Sequence, residues 1–329
     1  MSVTAVTLAS ILLVGQNKTD LRRDTTRLSG QPYTRYFTTD KFKREVTFYV
    51  TEAEGKAPLV VFVQGSGNGS NFIKVGERLV PQNGQTTLYD VAERKVRLLI
   101  VEKPGVKFLD PGDRGGAQSA SDEFKQEHTF DRWAEAVGAA LNAAKKIDGV
   151  DPGKILVVGH SEGGLVACRV AARDPEVKAV ATLAGGGVTQ LYDLVALARK
   201  GYFGGPDSKP EETAQAILKM WDDVLADPDS ATKLFLGHPY RRWSSFLATS
   251  PVEELARFKG RVFIGQGSED KAVDVSSADV LYAQLKSRGH NVTYDRVAGA
   301  DHGFAQPAEK PGTGWATELK RVWDWFVKP

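Results

Sequence analysis

Short apolar runs alternate with amphipathic stretches along most of this chain. The apolar runs predict buried strands of a mostly parallel sheet, because such strands are covered on both faces. They occupy residues 58–63, 96–101, 155–158, 177–183, 261–265 and 291–297. An alternating run at 45–51 predicts an outer strand. Residues 16–44 are polar and of mixed charge, and we expect them to wrap the surface without regular structure.

Helical patterns separate these strands. Apolar residues recur at helical spacing in segments 131–147, 165–171, 276–288 and 314–327. The alternation of strands and helices is typical of an α/β fold with a doubly wound, mostly parallel sheet. Sheets of this kind place their functional sites beyond the carboxyl ends of the strands.

Residues 188–250 interrupt the alternation. Helical patterns occupy residues 189–199, 210–226 and 229–236, and no strand is predicted between them. The chain is therefore predicted to have a core made of residues 1–187 and 251–329. An all-helical cap, residues 188–250, is predicted to be inserted into that core and to cover the site.

Composition narrows the classes of function. The 329 residues are 41% hydrophobic and 26% charged, as in soluble globular proteins. The formal net charge is +2 and the basic residues are scattered, which argues against a nucleic-acid partner and against stable membrane insertion. Cys168 is the single cysteine, so an internal disulfide is excluded. Motifs such as CxxC and HExxH are absent, and we expect neither a metal nor another cofactor.

The first 15 residues are apolar with interspersed Thr and Ser, and no Lys or Arg precedes Lys18. They make a poor signal peptide and are too short for a transmembrane span. A first strand is the preferred interpretation and favours a cytoplasmic location. A remnant of an export signal is the alternative.

The most informative stretch is Gly159-His160-Ser161-Glu162-Gly163, between a predicted strand and a predicted helix. In that context Ser161 lies at the apex of a strained turn with its hydroxyl clear of the sheet. The flanking glycines allow strand and helix to approach closely. The amide of Glu162 lies near the helix N-terminus, where developing negative charge is favoured. Ser161 is the candidate nucleophile.

A glycine-rich loop, residues 64–70, follows the strand predicted at 58–63. Its backbone amides could approach a ligand, and we expect the amide of Ser66, or that of Gly67, to oppose the amide of Glu162 in an oxyanion hole. A mobile surface loop or a phosphate cradle is the alternative. The spacings of the common phosphate-binding motifs are absent, which argues against phosphate.

A serine nucleophile needs a base and an acid that orients the base. Asp270 and His302 each follow a predicted strand, and the chain order Ser161, Asp270, His302 is the order expected for a nucleophile at such a turn. Asp274 is the alternative acid. The remaining histidines are interpreted as structural or surface residues; they are His128, His160, His238 and His290.

Aromatic residues of the predicted cap are candidates for a substrate pocket. Trp221, Tyr240, Trp243 and Phe246 could line it, together with Gln64 and Gly67 of the glycine-rich loop. A neighbouring arginine could meet a substrate acid. The alternative is that the aromatic residues form the core of the cap and the arginines form surface ion pairs, which is the preferred interpretation for the arginines.

These motifs resemble those of the α/β-hydrolase superfamily. The resemblance rests on residues 159–164, on Gly267 to Asp270 and on residues 301–304, and it covers about residues 45–187 and 251–329. It is closest to the branch of esterases, dienelactone hydrolases and prolyl-oligopeptidase-like enzymes. It implies that Ser161, Asp270 and His302 form a catalytic triad. It also implies that the amides of Ser66 and Glu162 form the oxyanion hole.

The chain departs from the family at one point. Gln64-Gly65 stands where many members have His-Gly, which should change loop packing rather than abolish backbone donors. The sequence thus predicts a cofactor-independent serine carboxylesterase acting on a small, hydrophobic or aryl ester. Peptidase or amidase activity on the same triad is the first alternative, and a non-catalytic binding protein is the second. The oligomeric state is left open.

Overall fold

The computed structural model describes residues 22–112, 120–203, 205 and 207–328. Its strands are β1 (Arg22–Arg27), β2 (Tyr33–Thr39), β3 (Glu45–Thr51), β4 (Ala57–Val63), β5 (Phe72–Val75), β6 (Arg78–Pro81), β7 (Arg97–Val101), β8 (Val150–His160), β9 (Ala179–Leu183), β10 (Leu234–Phe235), β11 (His238–Pro239), β12 (Arg261–Gly267) and β13 (Val292–Val297). Its helices are α1 (Thr86–Val91), α2 (Asp122–Glu127), α3 (Phe130–Ala144), α4 (Glu162–Arg173), α5 (Gln190–Arg199), α6 (Pro210–Ala226), α7 (Tyr240–Phe246), α8 (Pro251–Leu255), α9 (Val275–Ser287) and α10 (Thr313–Val327).

Nine of the described strands form one large sheet in the order β1-β2-β3-β7-β4-β8-β9-β12-β13, and β5-β6 and β10-β11 form two separate two-stranded sheets. From β7 to β13 all neighbours are parallel, whereas the pairs β1-β2, β2-β3 and β3-β7 are antiparallel. The predicted α/β fold with a mostly parallel sheet is confirmed. The carboxyl ends of the parallel strands meet at one edge of the sheet, where a site is expected.

The expectation for residues 16–44 was wrong over its described part, because β1 and β2 extend the sheet beyond β3. Strand β3 is therefore not at the edge. Strand β2 pairs with β3 in unbroken register from Tyr33 opposite Thr51 to Thr39 opposite Glu45. Its sequence carries Arg and Thr among its aromatic residues, so its apolar alternation is weak, and its main-chain pairing with β3 makes it a strand.

Helices cover both faces of the sheet. In β4, Leu59, Val61 and Val63 face a core shared with α3, α4, α8 and α9. Val60 and Phe62 face a second core shared with α1 and α10. The central strands are apolar on both faces for this reason, and this is why they appear in the sequence as continuous apolar runs.

Residues 188–250, called the insertion below, contain α5, α6, β10, β11 and α7. The expected helix at 229–236 was wrong, and the insertion is not all-helical. Strands β10 and β11 form a hairpin whose two loop residues, Leu236 and Gly237, have φ of 43° and 77°. Positive φ at both positions is the conformation of the tightest hairpin turns, and it ends any helix there. The insertion has a hydrophobic cluster of its own, centred on α5, α6 and Trp243.

A short helix, α2, precedes α3 in the connection that follows β7. The first 15 residues lie outside the described residues, as do residues 16–21 and 113–119. Within the described ranges, no helix combines the length and apolar character that crossing a membrane requires.

Candidate active site

Ser161 lies at the turn between β8 and α4 with φ 56° and ψ −126°. A positive φ is unusual for a residue with a side chain and stores strain in the turn. Neighbouring hydrogen bonds hold this conformation: the Ser161 amide donates to the Leu183 carbonyl at 2.8 Å, and its own carbonyl accepts from the Gly164 amide at 2.8 Å. The strained turn places Ser161 at the carboxyl end of the central strand β8.

Two glycines make this turn possible. A Cβ atom on Gly159 would lie 2.0 Å from the Gly163 carbonyl oxygen, and one on Gly163 would lie 2.2 Å from the Val63 carbonyl oxygen. Both contacts are with backbone, which cannot move aside. On the other side of the turn, a Cβ on Gly65 would lie 3.1 Å from Cβ of Ser161. The glycine-rich loop after β4 therefore lies directly against the nucleophile turn.

His302 is paired with Asp270. Nδ1 of His302 lies 2.8 Å from Oδ2 of Asp270, whose side chain is fully buried. Burial alone would raise the pKa of Asp270, but the bond to His302 and the amides of Val273 and Ala272 keep that pKa below its ordinary value. The carboxylate is therefore ionised, and it holds the imidazole with its Nδ1 proton toward Asp270.

The alternative acid, Asp274, has a different role. Its carboxylate accepts a hydrogen bond from the Ser276 amide at 2.9 Å, at the N-terminus of α9, and it lies 2.6 Å from Nζ of Lys200. Asp274 is thus the N-cap of α9, and its second oxygen pairs with Lys200. Both oxygens of this carboxylate are bound to groups other than His302. The geometry therefore associates His302 with Asp270.

His302 also contacts the residue that precedes the nucleophile. The rings of His160 and His302 lie 4.8 Å apart between centroids, and the ring of Trp315 covers His160 at 5.0 Å. Ser161 and His302 are not hydrogen-bonded within the described part of the chain. In enzymes without bound substrate, the hydrogen bond between a serine nucleophile and its base is often long, and it tightens only when substrate binds.

A buried charged cluster lies behind the nucleophile turn: Glu162, Lys103, Arg242 and His128. Oε1 of Glu162 lies 3.2 Å from Nζ of Lys103 and 3.0 Å from Nε2 of His128. Its Oε2 accepts from Nε of Arg242 at 3.1 Å and also from Nη2. Burial alone would raise the pKa of Glu162, but the charges of Lys103 and Arg242 hold it well below its ordinary value. Burial lowers the pKa of His128 to about 4, so its ring is neutral.

Three members of this cluster were not predicted from the sequence, because they come from distant parts of the chain. Lys103 follows β7, His128 lies between α2 and α3, and Arg242 lies in α7. One signal was present. Glu162 opens a helix packed on the sheet, and a carboxylate buried there requires cations nearby. The sequence does not say which cations these are, since many basic residues are available.

A cavity of about 160 Å³ adjoins Ser161. Its walls come partly from the strand ends and partly from the insertion. They are formed by Ser66, Ser161, Glu162, Gly185, Gln190, Asp193, Leu194, His238, Arg242, Trp243, Ala272 and Val273. Ser161, the residues expected to supply the oxyanion amides and part of the insertion thus share one cavity.

The remaining pocket candidates lie elsewhere. Of the four aromatic residues, Trp243 lines the cavity, whereas Trp221 and Tyr240 pack against the hydrophobic cluster of the insertion. Phe246 is fully buried against Phe130, 5.4 Å between ring centroids, and against the ring of His128. In the glycine-rich loop, the Gln64 side chain is buried and accepts a hydrogen bond from Asn83, and Gly67 has φ 130°.

Comparison with known proteins agrees with this architecture. The model of a family described as the alpha/beta hydrolase family matches residues 60–313. Among curated proteins, none matches the sequence.

Several solved structures share the fold. Est1E from Butyrivibrio proteoclasticus is similar with a TM-score of 0.56 and 17% identity over 91% of this chain and 100% of its own. The acylaminoacyl peptidase of Pyrococcus horikoshii is similar with a TM-score of 0.61 and 14% identity, over 91% of this chain but 42% of its own. Carboxyl esterase 2 from Tuber melanosporum is similar with a TM-score of 0.55 and 18% identity, over 91% of this chain and 88% of its own.

Proposed function

Because the chain belongs to the alpha/beta hydrolase family, we propose that it is a serine hydrolase that cleaves carboxylic esters through an acyl-enzyme intermediate. One observation carries the proposal. The ring of His302 lies 4.8 Å from that of His160, the residue before the strained turn at Ser161, and the buried carboxylate of Asp270 lies 2.8 Å from its Nδ1. A serine, a base and an orienting acid in this order and arrangement are the parts that nucleophilic acyl transfer requires.

In the proposed mechanism, Nε2 of His302 accepts the proton of the Ser161 hydroxyl as its oxygen attacks the ester carbonyl. Asp270 keeps Nδ1 protonated and stabilises the imidazolium that forms. The oxyanion accepts hydrogen bonds from the amides of Ser66 and Glu162, each worth about 3–4 kcal/mol in comparable sites. His302 then protonates the leaving alcohol, and a water activated by the same imidazole releases the acid.

The cavity supports a small, uncharged or weakly polar acyl group. Trp243, Leu194 and Val273 offer it apolar walls, and its volume of about 160 Å³ holds few heavy atoms. The region 188–250 acts in this proposal as a cap that supplies these specificity-determining walls. No metal or other cofactor takes part in the mechanism.

Peptidase activity on the same residues is the alternative, and the charges at the cavity argue against capture of a peptide ammonium group there. Glu162 is already paired with Lys103 and Arg242. Burial raises the pKa of Asp193 well above its ordinary value, which disfavours its ionised form. Neither carboxyl group is therefore well suited to bind a charged amino terminus.

The test is a panel of p-nitrophenyl esters of increasing acyl length, assayed beside the matching anilides and aminoacyl anilides. Ser161→Ala should lose roughly 10³-fold or more of kcat/KM and all labelling by a fluorophosphonate probe. Ser287→Ala serves as the control, because its hydroxyl bonds to the Gln284 carbonyl on an exposed part of α9. Full ester turnover by the Ser161→Ala variant would end the proposal. Faster cleavage of the anilides than of the esters would replace it with the peptidase alternative.

A further inference from the structure

Lys103 joins the glycine-rich loop to the nucleophile turn. Its ammonium group is completely buried and donates to the carbonyl of Gly65 at 2.6 Å and to that of Gly67 at 3.0 Å. A third bond, at 3.2 Å, goes to the carboxylate of Glu162. One side chain therefore links the two segments whose amides are expected to form the oxyanion hole.

The position of these bonds determines how the Ser66 amide points. The Gly65 carbonyl and the Ser66 N–H belong to one planar trans peptide, so the two groups point in opposite directions. When Lys103 fixes the carbonyl on the buried side, the N–H is turned away from Lys103. The second hydrogen bond of Lys103, to the Gly67 carbonyl, fixes the backbone that follows Ser66. A cation at the carbonyl also polarises the peptide and strengthens the N–H as a donor.

The residue before Lys103 holds the far end of the same loop. Glu102 accepts a hydrogen bond from the Ser70 hydroxyl at 2.6 Å and one from the Asn71 amide at 3.0 Å. Glu102 and Lys103 are the two residues that follow β7, the neighbour of β4 in the sheet. The end of β7 therefore braces the whole loop that follows β4.

The charges of the cluster point to a function beyond stability. Lys103 and Arg242 are both buried, and they share one carboxylate, Glu162, while His128 is neutral. Arg242 alone would neutralise Glu162. Among the described residues, no second carboxylate forms an ion pair with either cation. Burying an unbalanced cation is costly, and burial accordingly lowers the pKa of Lys103, although Glu162 opposes the shift. A negative charge that forms near Ser66 and Glu162 would supply the missing partner.

We propose that Lys103 is a positioning residue of the oxyanion hole: it orients and polarises the peptide that carries the Ser66 N–H, and its charge balances the oxyanion. This inference rests on the proposed function, because it assumes that an oxyanion forms at Ser161. Lys103 acts through the peptide and does not touch the substrate.

The experiment compares Lys103→Met and Lys103→Gln with the wild type. Lys103→Met removes both the charge and the donor, whereas Lys103→Gln keeps a donor without the charge. The readouts are kcat and KM for p-nitrophenyl acetate and the inhibition constant of an aryl trifluoromethyl ketone. The Ser161 oxygen adds to the carbonyl carbon of this ketone, its proton passes to His302, and the former carbonyl oxygen becomes an oxyanion.

For Lys103→Met we expect kcat to fall about 10- to 100-fold, since one oxyanion donor is weakened rather than removed. KM should stay unchanged, and the ketone should bind more weakly by the same factor as the loss in kcat/KM. Lys103→Gln should lie between Lys103→Met and the wild type. The matched control is Lys145→Met, which removes a largely buried lysine that pairs with Asp174 and Glu176 at the other end of α4. Lys145→Met should lower the melting temperature without changing kcat.

A second measurement does not depend on turnover. The amide proton of Ser66 should shift upfield in the NMR spectrum of Lys103→Met or Lys103→Gln, because its peptide is no longer polarised. An unchanged Ser66 shift, an unchanged kcat with unchanged ketone affinity, or a rise in KM alone would each overturn the proposal. If the wild type hydrolyses no ester but the Ser66 amide shifts as expected, the proposed function fails and the positioning by Lys103 stands. If Lys103→Met does not fold, the comparison of Lys103→Gln with Lys145→Met decides.

Discussion

Nε2 of His160 lies 3.0 Å from the main-chain carbonyl oxygen of His302, although 142 positions separate the two residues in the chain. The carbonyl accepts, so the proton of His160 is on Nε2. Burial lowers the pKa of His160 to about 4, with a further contribution from the nearby His302, and the ring is neutral. His160, which precedes Ser161, thus fixes the loop that carries His302.

Replacing His160 should therefore impair His302 without removing it. His160→Phe keeps a ring against Trp315 but loses the donor, and we expect kcat to fall about 3- to 30-fold, the effect of a slightly misplaced base. KM should change little, and the free energy of unfolding should fall by about 1 kcal/mol, the usual contribution of one hydrogen bond. Ester kinetics and urea unfolding measure both quantities. His290→Phe, half-buried in the connection between α9 and the amino end of β13, is the control. A His160→Phe enzyme with the kcat of the wild type would refute this role.

Gly163→Ala should destabilise the protein strongly. The new Cβ would lie 2.2 Å from the Val63 carbonyl and 2.5 Å from the Gln64 carbonyl, and both belong to the backbone of the central sheet region. We expect a loss of at least about 1–3 kcal/mol, as for other overpacked sites. Gly138→Ala in α3 is the matched control, because nothing lies within 4 Å of its added Cβ. That change should stabilise the helix by about 0.5–1 kcal/mol. Equal unfolding midpoints for the two variants would contradict the packing argument.

Glu318→Gln should stabilise the protein at alkaline pH. Burial, with a smaller contribution from Asp295, raises the pKa of Glu318 to about 8. Its Oε1 is buried and has no hydrogen-bond partner among the residues that the structure describes. Between about pH 4.5 and 8 the unfolded chain is ionised at this position and the folded protein is protonated, so folding takes up a proton and stability falls as pH rises.

The glutamine removes this slope. Near pH 8–9 we expect Glu318→Gln to be more stable than the wild type by about 2–5 kcal/mol, and near pH 4 by almost nothing. Chemical denaturation at both pH values measures the difference. Glu309→Gln, on an exposed turn, should show no such dependence. A stability difference that does not vary with pH would show that Glu318 is ionised in the folded protein.

Much of the fold could be predicted from local pattern. Strands β4, β7 and β8 are covered on both faces, and an element covered on both faces must be apolar throughout. Helix α6 begins and ends where its pattern predicts, at Pro210 and Ala226. The alternation of such elements was enough for the α/β fold. Strand β2 was missed because its partner in β3, and not its own composition, makes it a strand. The hairpin of β10 and β11 was missed because its turn carries Leu236-Gly237 instead of the commoner Asn-Gly.

The residues of the candidate site likewise fall into two groups: those that the sequence predicted and those that only the structure identified. Ser161 directly follows β8, Asp270 lies three residues after the end of β12 and His302 lies five residues after the end of β13. The sequence could place all three at one edge of the sheet, because parallel strands deliver the residues that follow them to the same edge. The residues that contact Glu162 could not be identified in this way. They are Lys103, His128 and Arg242. Only the tertiary structure decided which cations meet Glu162, because that depends on which strand neighbours which and on how α7 packs. A buried carboxylate such as that of Glu162 requires cations nearby. Lys103 and Arg242 are 59 and 80 positions away from it in the chain, so the folded core, and not the local sequence around either residue, brings them into contact with Glu162.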